Sequence, residues 1–190
     1  MLLDVEKKLV KLKVVYYGIA QSGKTTNLQK LSEKEGLSLL KFDTEGERTL
    51  VFDFTTRKIR LDNYTVSFAL YTVPGQDIYK DIRHTVLKGV DGLIFVVDSQ
   101  KEKIAENINF YNLLKTDLLR IGKNLEDIPL VFQYNKRDLP NVFGYHELER
   151  SLNLDKHPSI SASAISGEGV LETFKMLENM LISKIKRLLL

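Results

Sequence analysis

Residues 13–31, KVVYYGIAQSGKTTNLQKL, constrain this chain more than any other stretch. The β-branched and aromatic run Val14-Val15-Tyr16-Tyr17 reads as a buried strand. It breaks at Gly18, crosses Ile19-Ala20-Gln21-Ser22 and closes on Gly23-Lys24-Thr25-Thr26, after which Leu28 and Leu31 begin a helical period. GxxxxGK(S/T) between a strand and a helix is a phosphate-binding loop. Gly18 and Gly23 allow backbone angles that a side chain would block, so successive N–H groups, those of Gln21 and Ser22 among them, can turn around an anion. The helix that opens there adds its positive end, through Thr25 and Thr26, to the same spot. Lys24 is placed to reach the β- and γ-phosphates, and the Thr25 hydroxyl to sit on Mg²⁺. The stretch predicts a nucleoside triphosphate site.

Composition narrows the class. A chain of 190 residues suits one domain, taken as 1–190, and neither its 43% hydrophobic content nor its 28% charge departs from globular norms. A net charge of +3, with no basic stripe interleaved with aromatics, gives no reason to invoke nucleic acid. With no cysteine, disulfides, thiolate zinc sites, prenylation and palmitoylation drop out, and Leu2 in second place does not suit N-myristoylation. No lipid anchor is therefore expected. The opening MLLDVEKKLVKLK lacks the apolar core of a signal peptide, no run approaches the length of a membrane span, and a cytoplasmic protein is expected.

Read in order, residues 1–8 are either a short helix or an extra strand. The first helix runs from Thr25 to about Lys34 and is capped by Gly36. Residues 37–48 read as a loop. TLVFDF (49–54) and YTVSFALYT (64–72) form an antiparallel hairpin around a polar connection at 55–63. A short helix lies between Asp77 and Leu87, and buried strands follow at GLIFVV (92–97) and PLVFQY (129–134). Ile104–Ile121, Tyr145–Leu152 and Val170–Leu188 are helical, and Ser159–Ala162 is a short strand. On the last helix Leu177, Leu181, Ile185 and Leu188 share a core-facing side. The fold class is α/β: a three-layer, mostly parallel six-stranded sheet with one antiparallel edge strand and helices on both faces. Ligands bind such sheets at the carboxyl ends of the strands.

Three further motifs fall at those ends. Asn135-Lys136-Arg137-Asp138 follows PLVFQY. The Asp138 carboxylate can accept both N1–H and the 2-amino group of guanine, a donor pair that adenine lacks. The Lys136 stem can cover the base, and Asn135 can tie this loop to the phosphate loop. Ser163-Ala164-Ile165 follows the last strand, where the Ala164 N–H would meet guanine O6. Thr72-Val73-Pro74-Gly75-Gln76 ends the third strand, where the Gly75 N–H can bond a γ-phosphate oxygen and Gln76 can orient an attacking water.

GIAQSGKT, TVPGQ, NKRD and SAI, in that order, resemble the Ras-like small GTPases over residues 10–188. YYGIAQSGKTTNLQ, TEGERTLVFDF, LYTVPGQ, LKGVDGLIFVVDSQ and FQYNKRDLPN are similar to the bacterial gliding-motility and cell-polarity GTPases of the MglA type. The resemblance implies a P-loop NTPase fold and a GTP/GDP switch with Mg²⁺ as cofactor. It implies slow hydrolysis unless stimulated by a roadblock-fold activating partner of the MglB type, with effectors reading the switch loops 36–49 and 73–84. A protein that is monomeric when free is expected. Thr49 looks like the loop threonine that completes the Mg²⁺ shell, and Arg48 matches an arginine that acts as a finger from within the same chain. One departure stands out: Thr72 replaces the Asp that normally holds Mg²⁺ through water, although the MglA type shows Thr there too. Asp53 could compensate if its strand shifted register.

Three functions compete on these residues. A GTPase switch uses Gln76 and Arg48. A module that holds GTP or GDP without useful turnover is favoured by Thr72. A P-loop ATPase or nucleotide kinase leaves NKRD unexplained.

Overall fold

The computed structural model describes residues 1–42, 52–75, 80–152 and 157–189, and the side chains of all of these except 41, 42, 52, 53, 80 and 189. Its sheet is built on β2 (Leu9–Tyr17), which is buried from Val14 through Tyr17. On one side β2 pairs in parallel with β5 (Tyr64–Thr72) over its whole length. On the other, β6 (Gly92–Asp98) pairs in parallel with Val14–Tyr17, and the short β1 (Leu2–Asp4) pairs antiparallel with Leu9–Lys11. Beyond β5 lie β4 (Phe52–Leu61) and then β3 (Leu40–Phe42), both antiparallel; beyond β6 lie β7 (Leu130–Asn135) and β8 (Ser159–Ser161), both parallel. The α/β class and its antiparallel edge stand as read from the sequence.

Among the described residues the sheet has eight strands rather than six. β1 and β3 are three residues each, too short to show a period of two. The larger difference is at 55–61, which the sequence marks as a polar connection and the structure places in β4. Leu61 faces Tyr64 across a two-residue turn in which Asp62 takes a left-handed conformation at φ 51. One of its charges, Arg57, is carried by partners elsewhere in the fold. Arg57 Nε donates to Glu35 at 2.8 Å, Nη1 pairs with Glu178, and the guanidinium lies 5.3 Å from the Phe174 ring centre.

Alternation along β2 sends its side chains into two cores. Val14 and Tyr16 join Leu28 and Leu31 of α1 (Lys24–Glu35) and Phe174, Leu177, Leu181 and Ile185 of α5 (Val170–Leu189). Val15 and Tyr17 join Leu87 of α2 (Lys80–Leu87), Leu114 and Leu118 of α3 (Ile104–Arg120) and Leu148 of α4 (Tyr145–Leu152). Burying a phenylalanine such as Phe95 or Phe132 contributes on the order of 1.5–3 kcal/mol. Leu188 is 61% exposed and leaves the core face expected of it, because Ile185 is the last α5 residue over the sheet. Among the described residues no helix is long and apolar enough to cross a membrane. Gly36 caps α1 as expected, in the left-handed conformation at φ 64 with its N–H on the Ser32 carbonyl.

Candidate functional site

β2 delivers the chain to Gly18, whose φ of 150 turns it away from the sheet; a Cβ there would overlap the Val96 carbonyl oxygen. Gly23, at φ 102, opens α1, and a Cβ on it would overlap Asn135 Nδ2. Two glycines are therefore required for separate reasons, one by the neighbouring strand and one by a loop from elsewhere in the chain. Gln21 between them is also left-handed, at φ 59. Lys24 is buried and its Nζ donates to the carbonyls of Gly18 at 2.8 Å and Ile19 at 2.6 Å, so the ammonium lies over the loop. Thr25 is exposed and Thr26 half-buried in the first turn of α1, whose leading N–H groups face the loop.

The other motifs converge on this loop. The carbonyl-terminal end of β5 runs Thr72-Val73-Pro74-Gly75, with Thr72 buried opposite Tyr16 and the Val73 N–H on the Tyr16 carbonyl. Gly75 lies so close to Ile19 and Ala20 that a Cβ would overlap their backbone. From β7, Asn135 Nδ2 donates to the Ser22 carbonyl at 2.7 Å, and its Oδ1 accepts the Ala164 N–H at 2.8 Å. That N–H was expected to face the base; its first partner is Asn135 instead, because the SAI turn is folded directly onto the β7 end. Ser163 Oγ donates to Asp138 Oδ1 at 2.6 Å, holding an exposed carboxylate in place, and Ile165 is 71% exposed.

Lys136 takes a left-handed conformation at φ 66 and its Nζ pairs with Asp98 Oδ2 at 2.6 Å and Gln100 Oε1 at 3.3 Å. Sequence reasoning missed Asp98. It is 1% exposed at the end of β6, and an acidic residue closing the otherwise apolar run GLIFVVD was the available signal. Arg48, Thr49 and Gln76 lie outside the described residues, as does the side chain of Asp53, whose backbone in β4 faces Lys41 of β3.

The residues present fit a phosphate group and its cation. Ser22 Oγ is buried with no hydrogen-bond partner among the described residues and lies beside the space that a Gly18 Cβ would fill. Among the described residues no three His, Asp or Glu cluster as a metal cage. Mg²⁺ in a phosphate site needs few protein ligands, so one hydroxyl such as that of Thr25 suits it.

Comparison with known proteins agrees with this geometry. A profile for the ADP-ribosylation factor family matches residues 1–181. The mutual gliding-motility protein MglA of Myxococcus xanthus is 38% identical, with 97% of each chain covered. Human ADP-ribosylation factor-like protein 4C is 30% identical over 93% of this chain and 90% of its own, and human ADP-ribosylation factor-like protein 4A is 29% identical over 92% and 86%.

Proposed function

The chain belongs to the ADP-ribosylation factor family of small GTPases, and we propose from that premise that its single 1–190 domain is a guanine-nucleotide switch acting in cell polarity or motility. The observation that carries the reading is the Asn135 side chain, which holds the NKRD and SAI loops on the phosphate loop and so makes one pocket of the three.

In that pocket the Lys24 ammonium lies where β- and γ-phosphate oxygens would gather, with the first-turn N–H groups of α1 beside it. Gly18, Gln21, Ser22, Gly23 and Thr26 complete the cradle. Asp138 accepts from the guanine edge while Lys136, pinned by Asp98, lays its stem along the base. Mg²⁺, held by Thr25 and Thr49, would neutralise charge building on the phosphate oxygens. Gly75, packed on Ala20, carries its N–H toward the γ-phosphate, and the next residue, Gln76, orients the water that attacks it. Arg48 stabilises the charge of the transition state from within the chain. In the cytoplasm a roadblock-fold partner brings Arg48 and Gln76 into place, and effectors read the same loops.

Phosphate release in a single turnover from GTP and from ATP, with and without Mg²⁺, tests the assignment. Slow, Mg²⁺-dependent release from GTP alone is expected. Release from ATP at an equal rate overturns it. Tight GDP and GTP binding with no release favours the alternative of a non-hydrolysing binding module, the reading that the buried Thr72 hydroxyl in place of a carboxylate supports.

A further inference from the structure

Gln133 stands two residues before Asn135 in β7 and is fully buried beneath α1 and α5. Apolar residues, Val96, Val131, Val170 and Phe174 among them, make up the core on that face of the sheet. Gln133 Nε2 donates to Asn27 Oδ1 of α1 at 2.8 Å and to Thr173 Oγ1 of α5 at 3.1 Å. Asn27 and Thr173 are buried as completely. Each passes the contact on to a backbone carbonyl four residues earlier: Asn27 Nδ2 donates to Gly23 at 2.9 Å, and Thr173 Oγ1 to Gly169 at 2.6 Å.

The direction of this thread is fixed from both ends. A carbonyl only accepts, so the Asn27 amide and the Thr173 hydroxyl turn their donors outward and leave Oδ1 and Oγ1 facing Gln133. One nitrogen carrying two N–H groups answers both acceptors. Methionine or leucine would fill the space and answer neither. A buried hydrogen-bonded chain holds its members in one arrangement, which apolar packing alone does not impose.

Both ends land on the candidate nucleotide site. Gly23 closes the phosphate loop and opens α1. Gly169, at φ 72, lies so close to β8 that a Cβ would overlap the Ser161 carbonyl oxygen, and the preceding Glu168 carbonyl accepts the Ser163 N–H at 3.0 Å. Ser163 in turn donates to Asp138. Further along α1, Lys34 Nζ donates to the Gly167 carbonyl at 2.6 Å, a second tie between the same two segments. We infer that Gln133 is a positioning residue for nucleotide retention: through Asn27 and Thr173 its amide sets the phosphate loop and the base-reading turn at a fixed separation, so that a nucleotide gripped by one is gripped by the other. The inference rests on the guanine-nucleotide reading of the pocket.

The test compares wild type with Gln133→Met, Thr173→Val, the two combined, and Thr173→Ser. The readouts are the release rate of fluorescent GDP, the melting temperature of the nucleotide-free protein, and hydrogen exchange of the Asn27 amide, which donates to the Gly23 carbonyl. Thr173→Val should speed GDP release about three- to tenfold, the change that one neutral hydrogen bond is worth, and Gln133→Met about tenfold or more. The combined variant should match Gln133→Met within about twofold, because the thread is already broken. Thr173→Ser keeps the hydroxyl and should release GDP at the wild-type rate. Release unchanged in Gln133→Met and Thr173→Val overturns the inference even if both melt at lower temperature, since that is the mark of packing alone. Rates that multiply in the combined variant overturn it too, because the two side chains would then act separately. If Gln133→Met fails to fold, Thr173→Val against Thr173→Ser decides. A wild type that binds no guanine nucleotide overturns the parent reading and the retention role with it. Exchange then judges the link by itself: Thr173→Val, a change in α5, should quicken exchange at Asn27 in α1, and unchanged exchange refutes the coupling.

Discussion

Asn135 Nδ2 donates to the Ser22 carbonyl oxygen across 113 positions of the chain, and the same side chain accepts from the Ala164 N–H. One amide thus satisfies backbone groups from two other loops, and no apolar residue could do so. Asn135→Ala leaves both groups buried and unpaired, at a cost of about 1–3 kcal/mol each. The melting temperature should fall, and affinity for GDP and GTP should fall by equal factors, because the lost contacts serve the shape of the pocket. Loss confined to GTP would count against this role.

Asp138 is assigned to the base, and its carboxylate accepts from Ser163 Oγ. Asp138→Asn replaces an acceptor with a donor where guanine presents its 2-amino group. Losing a charge-assisted pair should cost on the order of 1.5–3 kcal/mol, about tenfold or more in GDP affinity. Xanthosine diphosphate should gain, since its 2-oxo group accepts. Competition titration of the two nucleotides checks this, and wild-type GDP affinity in the variant would refute the assignment.

Arg48 and Gln76 are assigned to the transition state, so they should matter to rate and not to binding. An arginine finger supplies roughly 10³–10⁵ in rate, which is about 4–7 kcal/mol. In the presence of an activating partner, Arg48→Ala and Gln76→Leu should each bind the partner with GTP yet gain little hydrolysis. Full stimulation of Arg48→Ala would remove the finger from this chain.

Glu178 gives a pH prediction. Burial raises its carboxyl above the ordinary carboxylate range, more than the adjacent Arg57 lowers it. A raised folded value means that the folded state holds the proton more tightly than the unfolded chain. That stability is present at acid pH and is lost as pH rises through the folded value. The melting temperature of wild type relative to Glu178→Gln should therefore decline over the pH interval above the ordinary carboxylate value of 4.5. A difference that grows over the same interval would mean that the Arg57 pairing outweighs burial.

What the sequence disclosed divides along physical lines. β6 and β7 were legible because both their faces are buried, which leaves an unbroken apolar run. The boundaries of α4 at Tyr145 and Leu152 were legible from local pattern, and Glu147 helps set its start by accepting the Gly144 N–H at 2.7 Å. β4 was half missed because Arg57 and its neighbours look like a loop until Glu35 and Glu178 are seen to receive the charge. The phosphate-loop, NKRD and SAI residues came together as their order implied. Asp98 and Asp117 did not announce themselves. Each is a single carboxylate whose partners lie far away in sequence, 38 positions for Asp98 and Lys136 and 100 for Tyr17 and Asp117, and no local pattern encodes such a pairing.

The lysine of the phosphate loop has a thermodynamic consequence of its own. Lys24 Nζ is tied to carbonyls five and six residues behind it in the chain. A lysine side chain gives up as much as about 2 kcal/mol of rotamer freedom when it is immobilised. Here that loss falls on folding, where the whole core of β2 and α1 offsets it. An anion reaching the loop meets a charge already localised, and its affinity is not diminished by the ordering of a long flexible chain.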